Sequence, residues 1–117
     1  MSQDPLKTYL LTYRKRTGLT QDELAFLLGI GSGTTVSKHE TGARRPLLKA
    51  ALGYQIILGE STSELFAGWY LELALTIRNR AAKLRVRLAA APATPVNLQK
   101  LDSIRHLVEE SMETSSK

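Results

Sequence analysis

Apolar residues along this chain recur at three- and four-residue spacing, and no stretch alternates in the Val/Ile/Thr manner of a strand. The pattern predicts an all-α chain. A first helix is expected from Asp4 as N-cap, with Pro5 at the first helical position, to about Thr17, where Gly18 stops it. Leu6, Leu10 and Tyr13 fall on its inner face; Lys7, Lys15 and Arg16 fall on the outer one. Thr20-Gln21-Asp22-Glu23 has the form of a capping box, in which hydroxyl and carboxylate satisfy backbone donors reciprocally. It opens a second helix, with Leu24, Ala25, Leu27 and Leu28 as its buried face and Gly29 as its end.

The run "GIGSGTT" then bends the chain into a short third helix, Thr34 to Thr41, closed by Gly42 as a left-handed C-cap. "ARRP" is a basic loop, and Pro46 starts a fourth helix, Leu47 to Leu58, which ends at Gly59. A second capping box, Ser61-Thr62-Ser63-Glu64, opens a fifth helix that nothing breaks before Pro92. If continuous it has about 28 residues and extends about 42 Å, longer than a core of this size needs. Its first half, "LFAGWYLELALTI", is apolar nearly all round. Its second half keeps a narrow stripe of Ala81, Leu84 and Leu88 among five basic residues. "AAAPATP", residues 89–95, reads as a linker. A last helix, Val96 to about Met112, carries Leu98, Leu101, Ile104, Val108 and Met112 at helical spacing, and Glu113 to Lys117 is a polar, disordered tail.

Length and charge narrow the function classes. The chain of 117 residues can bury one modest core with an appended element. The expected division is residues 1–62 as one domain, 63–113 as a helical extension, and 114–117 as tail. Net charge is +5, carried as +3 over residues 1–62, +3 over 63–91 and −1 over 92–117. A basic surface favours a polyanionic partner. The acidic end of the last helix (Glu109, Glu110, Glu113) either faces the basic half of the fifth helix or is a solvated face. No cysteine is present, which excludes a thiol nucleophile, a disulfide framework and any Cys-ligated metal. No secretory leader is expected at the N-terminus, and the richest apolar window, Leu65 to Ile77, is too short to span a bilayer and carries Glu72. The basic amphipathic stretch 78–88 is a thin membrane candidate, since its stripe lacks aromatics.

Taken together, the second and third helices have the layout of a helix-turn-helix, in which the second of the pair lies in the major groove and the first crosses the backbone. The segment "RKRTGLTQDELAFLLGIGSGTTVSKHETGARRP" resembles the Cro/repressor, or xenobiotic-response-element, helix-turn-helix family, and the likeness covers residues 5–67. The resemblance implies a five-helix lambda-repressor-like DNA-binding domain, here with a long fifth helix and an additional C-terminal helix. It implies that Gly33, Thr34, Ser37 and Lys38 face base edges, with Lys38 suited to guanine O6/N7 and Thr34 to a thymine methyl. It assigns phosphate contacts to Arg14, Gln21, Thr35, Thr41, Arg44 and Arg45. Arg14 and Glu40 would form an ion pair bracing the first helix against the third, Ala25 would permit close packing, and Val36 would point into the core.

One departure concerns the turn. Leu28 to Glu40 spans twelve steps where the family has eleven, so the glycine-rich turn is one residue longer. Glycine absorbs such an insertion because it tolerates positive φ. Either Gly33 or Thr34 is then the first residue to face the groove.

The leading expectation is a sequence-specific DNA-binding transcriptional regulator, a repressor, acting in the cytoplasm on nucleoid DNA. It would bind a pseudo-palindromic operator as a homodimer, with Trp69, Leu71 and Leu75 either forming the dimer seam or completing the monomer's core. The last helix packs on its own subunit or swaps to the partner. The alternative is an antitoxin-like autoregulator whose C-terminal helices bind a partner protein. An enzyme is not expected: a phosphate-cradling glycine loop needs a preceding strand and a following acidic residue, and a capped helix precedes this one. No cofactor and no metal are expected; His39 packs near the backbone or touches phosphate, and His106 has no companion at ligand spacing.

Overall fold

The computed structural model describes residues 7–116, with side chains through Val108. The expected cap by Asp4 and Pro5, the inward face of Leu6, and the side chains of Glu109, Glu110, Met112 and Glu113 lie outside the described residues. Among those residues the chain is all-α: α1 (Leu10–Thr17), α2 (Gln21–Leu28), α3 (Gly33–Thr41), α4 (Leu48–Leu58), α5 (Thr62–Leu65), α6 (Ala67–Ala90) and α7 (Pro95–Ser116). No helix is long and apolar enough to cross a membrane, among the described residues. The chain divides into two compact units, residues 1–71 and 72–117, so the division falls inside α6 and not at the expected 62/63.

Local chemistry explains the first unit's element ends. Thr20 Oγ1 accepts from the Glu23 N–H at 3.0 Å and Glu23 returns a bond to the Thr20 N–H at 2.9 Å, so the capping box that starts α2 is complete. Gly29 ends α2 at φ 73°, a conformation that costs a residue with a Cβ but not glycine. α1 begins at Leu10, later than the expected start at the first proline. Residues 7–9 are not helical because their backbone is engaged elsewhere: the Tyr9 N–H donates to the Leu65 carbonyl at 2.7 Å, and the Lys7 carbonyl accepts from the Trp69 N–H at 3.4 Å. Buried Thr8 then supplies the missing cap, its hydroxyl accepting from the Leu10 N–H at 2.9 Å.

The core of the first unit gathers one or two residues from each of α1 to α5, namely Leu10, Leu24 and Ala25, Val36, Ala50 and Tyr54, and Leu65, with Phe66 just beyond α5. Two expectations shift here. The fifth helix is not continuous; after α5 the chain leaves helical geometry at Phe66 (φ −116°, ψ 42°) and restarts as α6. On either side of the break, Leu65 and Phe66 both reach the core. Leu27, placed on the buried face of α2 by periodicity, is exposed; Leu24 and Ala25 alone are fully buried there.

The second unit is sparse by contrast. Ala81 is its one fully buried residue among those described, and Leu84 of the expected stripe is exposed. In α7, Leu101, Ile104 and Val108 are half-buried, whereas Leu98 is exposed. Thr94 caps α7 through its hydroxyl, which accepts from the Asn97 N–H at 3.1 Å, and Pro95 takes the first helical position. The linker is therefore shorter than expected, and the helix continues through Ser116 into the expected tail.

Candidate nucleic-acid interface

α3 is short, and its residues sort cleanly by burial. Gly33, Val36 and His39 are buried; Thr34, Lys38 and Thr41 are exposed; Thr35 and Ser37 are intermediate. A helix this short with one face in a core presents its other face as a unit. That outer face carries Thr34, Ser37, Lys38 and Thr41 and no acidic side chain.

Its start settles which residue comes first. Ser32 is the N-cap, its hydroxyl accepting from the Thr34 N–H at 3.3 Å, and α3 begins at Gly33. Gly33 was expected at a base edge, but it is buried at the crossing of α2 and α3. Its N–H donates to Asp22 Oδ1 at 3.0 Å, and a Cβ there would sit 3.0 Å from the Asp22 backbone nitrogen and 3.1 Å from the Gln21 carbonyl carbon. Glycine is needed for this close approach, and Thr34 is the first outward residue. The longer turn is absorbed by the Gly29 cap and an extended Ser32.

The expected Arg14–Glu40 pair forms, and it is more elaborate than a pair. Arg14 reaches Glu40 through Nε and through Nη2 at 3.3 Å, while Nη1 donates to the Leu19 carbonyl at 2.9 Å. The Gln21 carboxamide donates to Glu40 Oε1 at 2.9 Å. Glu40 is thus held by donors from α1 and α2, with its side chain 4 % exposed and that of Arg14 12 % exposed. Opposite charges buried this fully are stable only because the hydrogen bonds are all made. Arg14 and Gln21, both expected at phosphates, thus turn these donors inward and brace α3 against α1 and α2.

Around the outer face, Thr20, Gln21, Asp22, Gly33, Thr34 and Ser37 line an open concavity of about 420 Å³. Beyond the C-terminal end of α3, the Gly42 cap (φ 83°) and the Arg44 N–H, which donates to the Lys38 carbonyl at 3.1 Å, fold the basic loop back onto the helix. Arg44 and Arg45 are both exposed on this loop. The Arg45 guanidinium lies 5.7 Å from the Trp69 ring centroid, which positions it by a cation–π contact.

Two residues are central to the support of α3: His39, expected to pack or to touch phosphate, and Tyr54, which the sequence pattern did not single out. His39 is buried, and its Nδ1 lies 2.8 Å from the Tyr54 hydroxyl. Burial, and secondarily the Arg44 charge, lowers the His39 pKa; burial, and secondarily Glu40, raises that of Tyr54. Rings then continue from Tyr54 to Phe66 at 6.2 Å and to Trp69 at 6.1 Å. Trp69 is half-buried and packed against the core, the second of the two places expected for it; Leu71 and Leu75 are exposed. The one legible hint of the His39–Tyr54 pair was that each falls on the inward stripe of its helix. Among the described residues no group of His, Asp and Glu side chains could hold a metal ion, and His106 is exposed.

No family model, no curated protein and no solved structure matches this chain.

Proposed function

We propose that the chain is a sequence-specific DNA-binding transcriptional regulator, acting as a repressor, that lays the outer face of α3 in the major groove. The observation that carries this reading is the acid-free face of Thr34, Ser37, Lys38 and Thr41, held rigidly by the buried Arg14–Glu40–Gln21 network and followed by Arg44 and Arg45. A helix presented this way matches what base readout requires: donors aimed at base edges, and flanking cations to fix register on the phosphates. Lys38 is the specificity residue, and Thr35, Arg44 and Arg45 contact phosphates. One such domain makes few contacts, so the operator is read as two inverted half-sites by a homodimer, with Leu71 and Leu75 in the seam. Exposed apolar residues of α6 favour self-association over an isolated monomer. The same surface would serve a partner protein if the chain were an antitoxin.

Selection of bound sequences from a random duplex pool tests the reading. One enriched motif with dyad symmetry is the expected result. With Lys38→Ala, preference relaxes at one position in each half-site; uniform weakening on all sequences would make Lys38 a phosphate contact. No enrichment, with binding absent even at low salt, overturns the proposal.

A further inference from the structure

Beside the outer face of α3 lies a cavity of about 450 Å³ between the end of α2, α3 and the start of α4. Its wall is divided by chemistry. Leu28, Ile30, Leu47 and Ala50 supply apolar surface, and Leu47 is 81 % exposed at its edge. Arg44, Arg45 and Lys49 also line it, and no acidic side chain does. The size is that of small-molecule sites, about 300–1,000 Å³, and such sites typically pair an apolar body with a few polar groups.

His39 adds an oriented donor. Its side chain is 3 % exposed, lines the cavity and turns Nδ1 to Tyr54. Tyr54 is fully buried, and His39 is its one hydrogen-bond partner among the described residues. A buried phenol must donate its proton, so the Tyr54 O–H donates to Nδ1 and the neutral imidazole carries its hydrogen on Nε2. No described protein group takes that Nε2–H, and the atom is not sealed from solvent. The start of α4 contributes in the same sense: Leu47, its N-cap, offers no side-chain acceptor to the first N–H groups of the helix, and Lys49 and Ala50 are in the lining.

We propose that this cavity binds a small organic monoanion, a carboxylate carrying an aromatic or branched apolar body. The carboxylate accepts from His39 Nε2–H beneath the Arg44 and Lys49 charges, and the apolar body lies on Leu28, Ile30 and Leu47. A phosphate of a nucleic-acid backbone would use the cations but leave the leucines and isoleucine uncovered. Because Thr35 and Arg44 belong to both the cavity lining and the DNA contacts proposed above, the occupied cavity competes with operator phosphate. That coupling rests on the DNA-binding reading; binding of the anion does not.

The test uses the full chain without DNA, titrated with 3-phenylpropanoate, its neutral amide 3-phenylpropanamide, and inorganic phosphate. Calorimetry and the His39 imidazole resonances are the readouts. The expected result is saturable binding of the carboxylate at roughly millimolar concentration or below, as a ligand of this size permits. The amide and phosphate bind at least about ten-fold more weakly, and the His39 pKa rises on carboxylate binding because an anion favours imidazolium. Lys49→Ala, a change at an exposed side chain, weakens the carboxylate about ten-fold without altering the fold. Equal binding of the amide, phosphate shifting His39 as strongly as the carboxylate, or no shift at all would each overturn the proposal. A separate arm measures release of the selected operator by 3-phenylpropanoate. Binding without release removes the proposed coupling, whereas failure of operator binding itself removes the functional reading and leaves the anion site standing.

Discussion

The unit that ends at Leu71 and the unit that begins at Glu72 spend their apolar residues differently. In the first, each of five helices delivers at least one side chain to a shared core, and no described buried side-chain polar atom lacks a partner. In the second, Leu73, Leu75, Ile77, Leu84, Val86, Val96 and Leu98 are exposed, and Ala81 alone is fully buried among the described residues. The first unit exposes apolar residues too, among them Phe26, Leu47, Leu48 and Ile56, so exposure alone does not separate the two. The difference lies in the interior: the first unit closes a core of its own, and the second buries almost none of its described apolar residues.

The largest expected effect lies in the first unit's polar centre. Glu40→Ala removes the acceptor for Arg14 and Gln21 and strands a charge whose side chain is 12 % exposed. Stability in denaturant titration should fall by about 3–5 kcal/mol. Leu24→Ala, at a fully buried site, should cost about 2–5 kcal/mol by the same measurement. A loss below about 1 kcal/mol for either would mean that the first unit is not the tightly organised half.

Next in size is a pH effect. Burial and Arg44 lower the His39 pKa below 6.5, so folding favours the neutral ring. The unfolded chain therefore binds more protons below pH 6.5, and the contribution of His39 is full above that pH and lost as pH falls through the folded value. Tyr54 is its hydrogen-bond partner, Arg44 is the charge that acts on it and opposes imidazolium, and the neighbouring carboxylate of Glu40 is taken up by Arg14 and Gln21. Thermal midpoints should fall between pH 7 and pH 5, and His39→Gln should flatten that slope. Thr20→Ala follows, at about 1 kcal/mol, through loss of the cap on α2.

How much of this was legible beforehand depends on whether the deciding physics is local. The Thr20 box, the Gly29 and Gly42 caps and the inward Leu10 and Leu24 are set within a few residues, and periodicity and cap chemistry located them; the inward Val36 came from the family resemblance. The Arg14–Glu40 pair lies 26 positions apart and became visible through family resemblance, not periodicity. What was missed required a distant partner. The break at Phe66 and the late start of α1 go with hydrogen bonds between the chain start and the α5–α6 junction. Gly33 looked like part of a loose turn because nothing local reveals that Asp22 and the α2 backbone pass within contact distance. The bond from Gln21 to Glu40 was hidden for the same reason, since a donor reads alike whether it faces a phosphate or a buried carboxylate.

The smallest effect on folding is expected from Leu75→Ser, and it tests the comparison most sharply. Leu75 is 55 % exposed, so in dilute protein the substitution removes little buried area and should change stability by less than about 0.5 kcal/mol. If Leu71 and Leu75 form the seam between two copies, association stabilises the folded chain by mass action, and the thermal midpoint of the unaltered protein rises with its concentration. Leu75→Ser should abolish that rise while leaving the dilute midpoint in place. A midpoint independent of concentration in the unaltered protein would remove the homodimer seam and leave the exposed leucines to another partner. A large loss in dilute protein would break the comparison itself, because it would mean that Leu75 is covered within the single chain. The two outcomes separate cleanly, since one depends on concentration and the other does not.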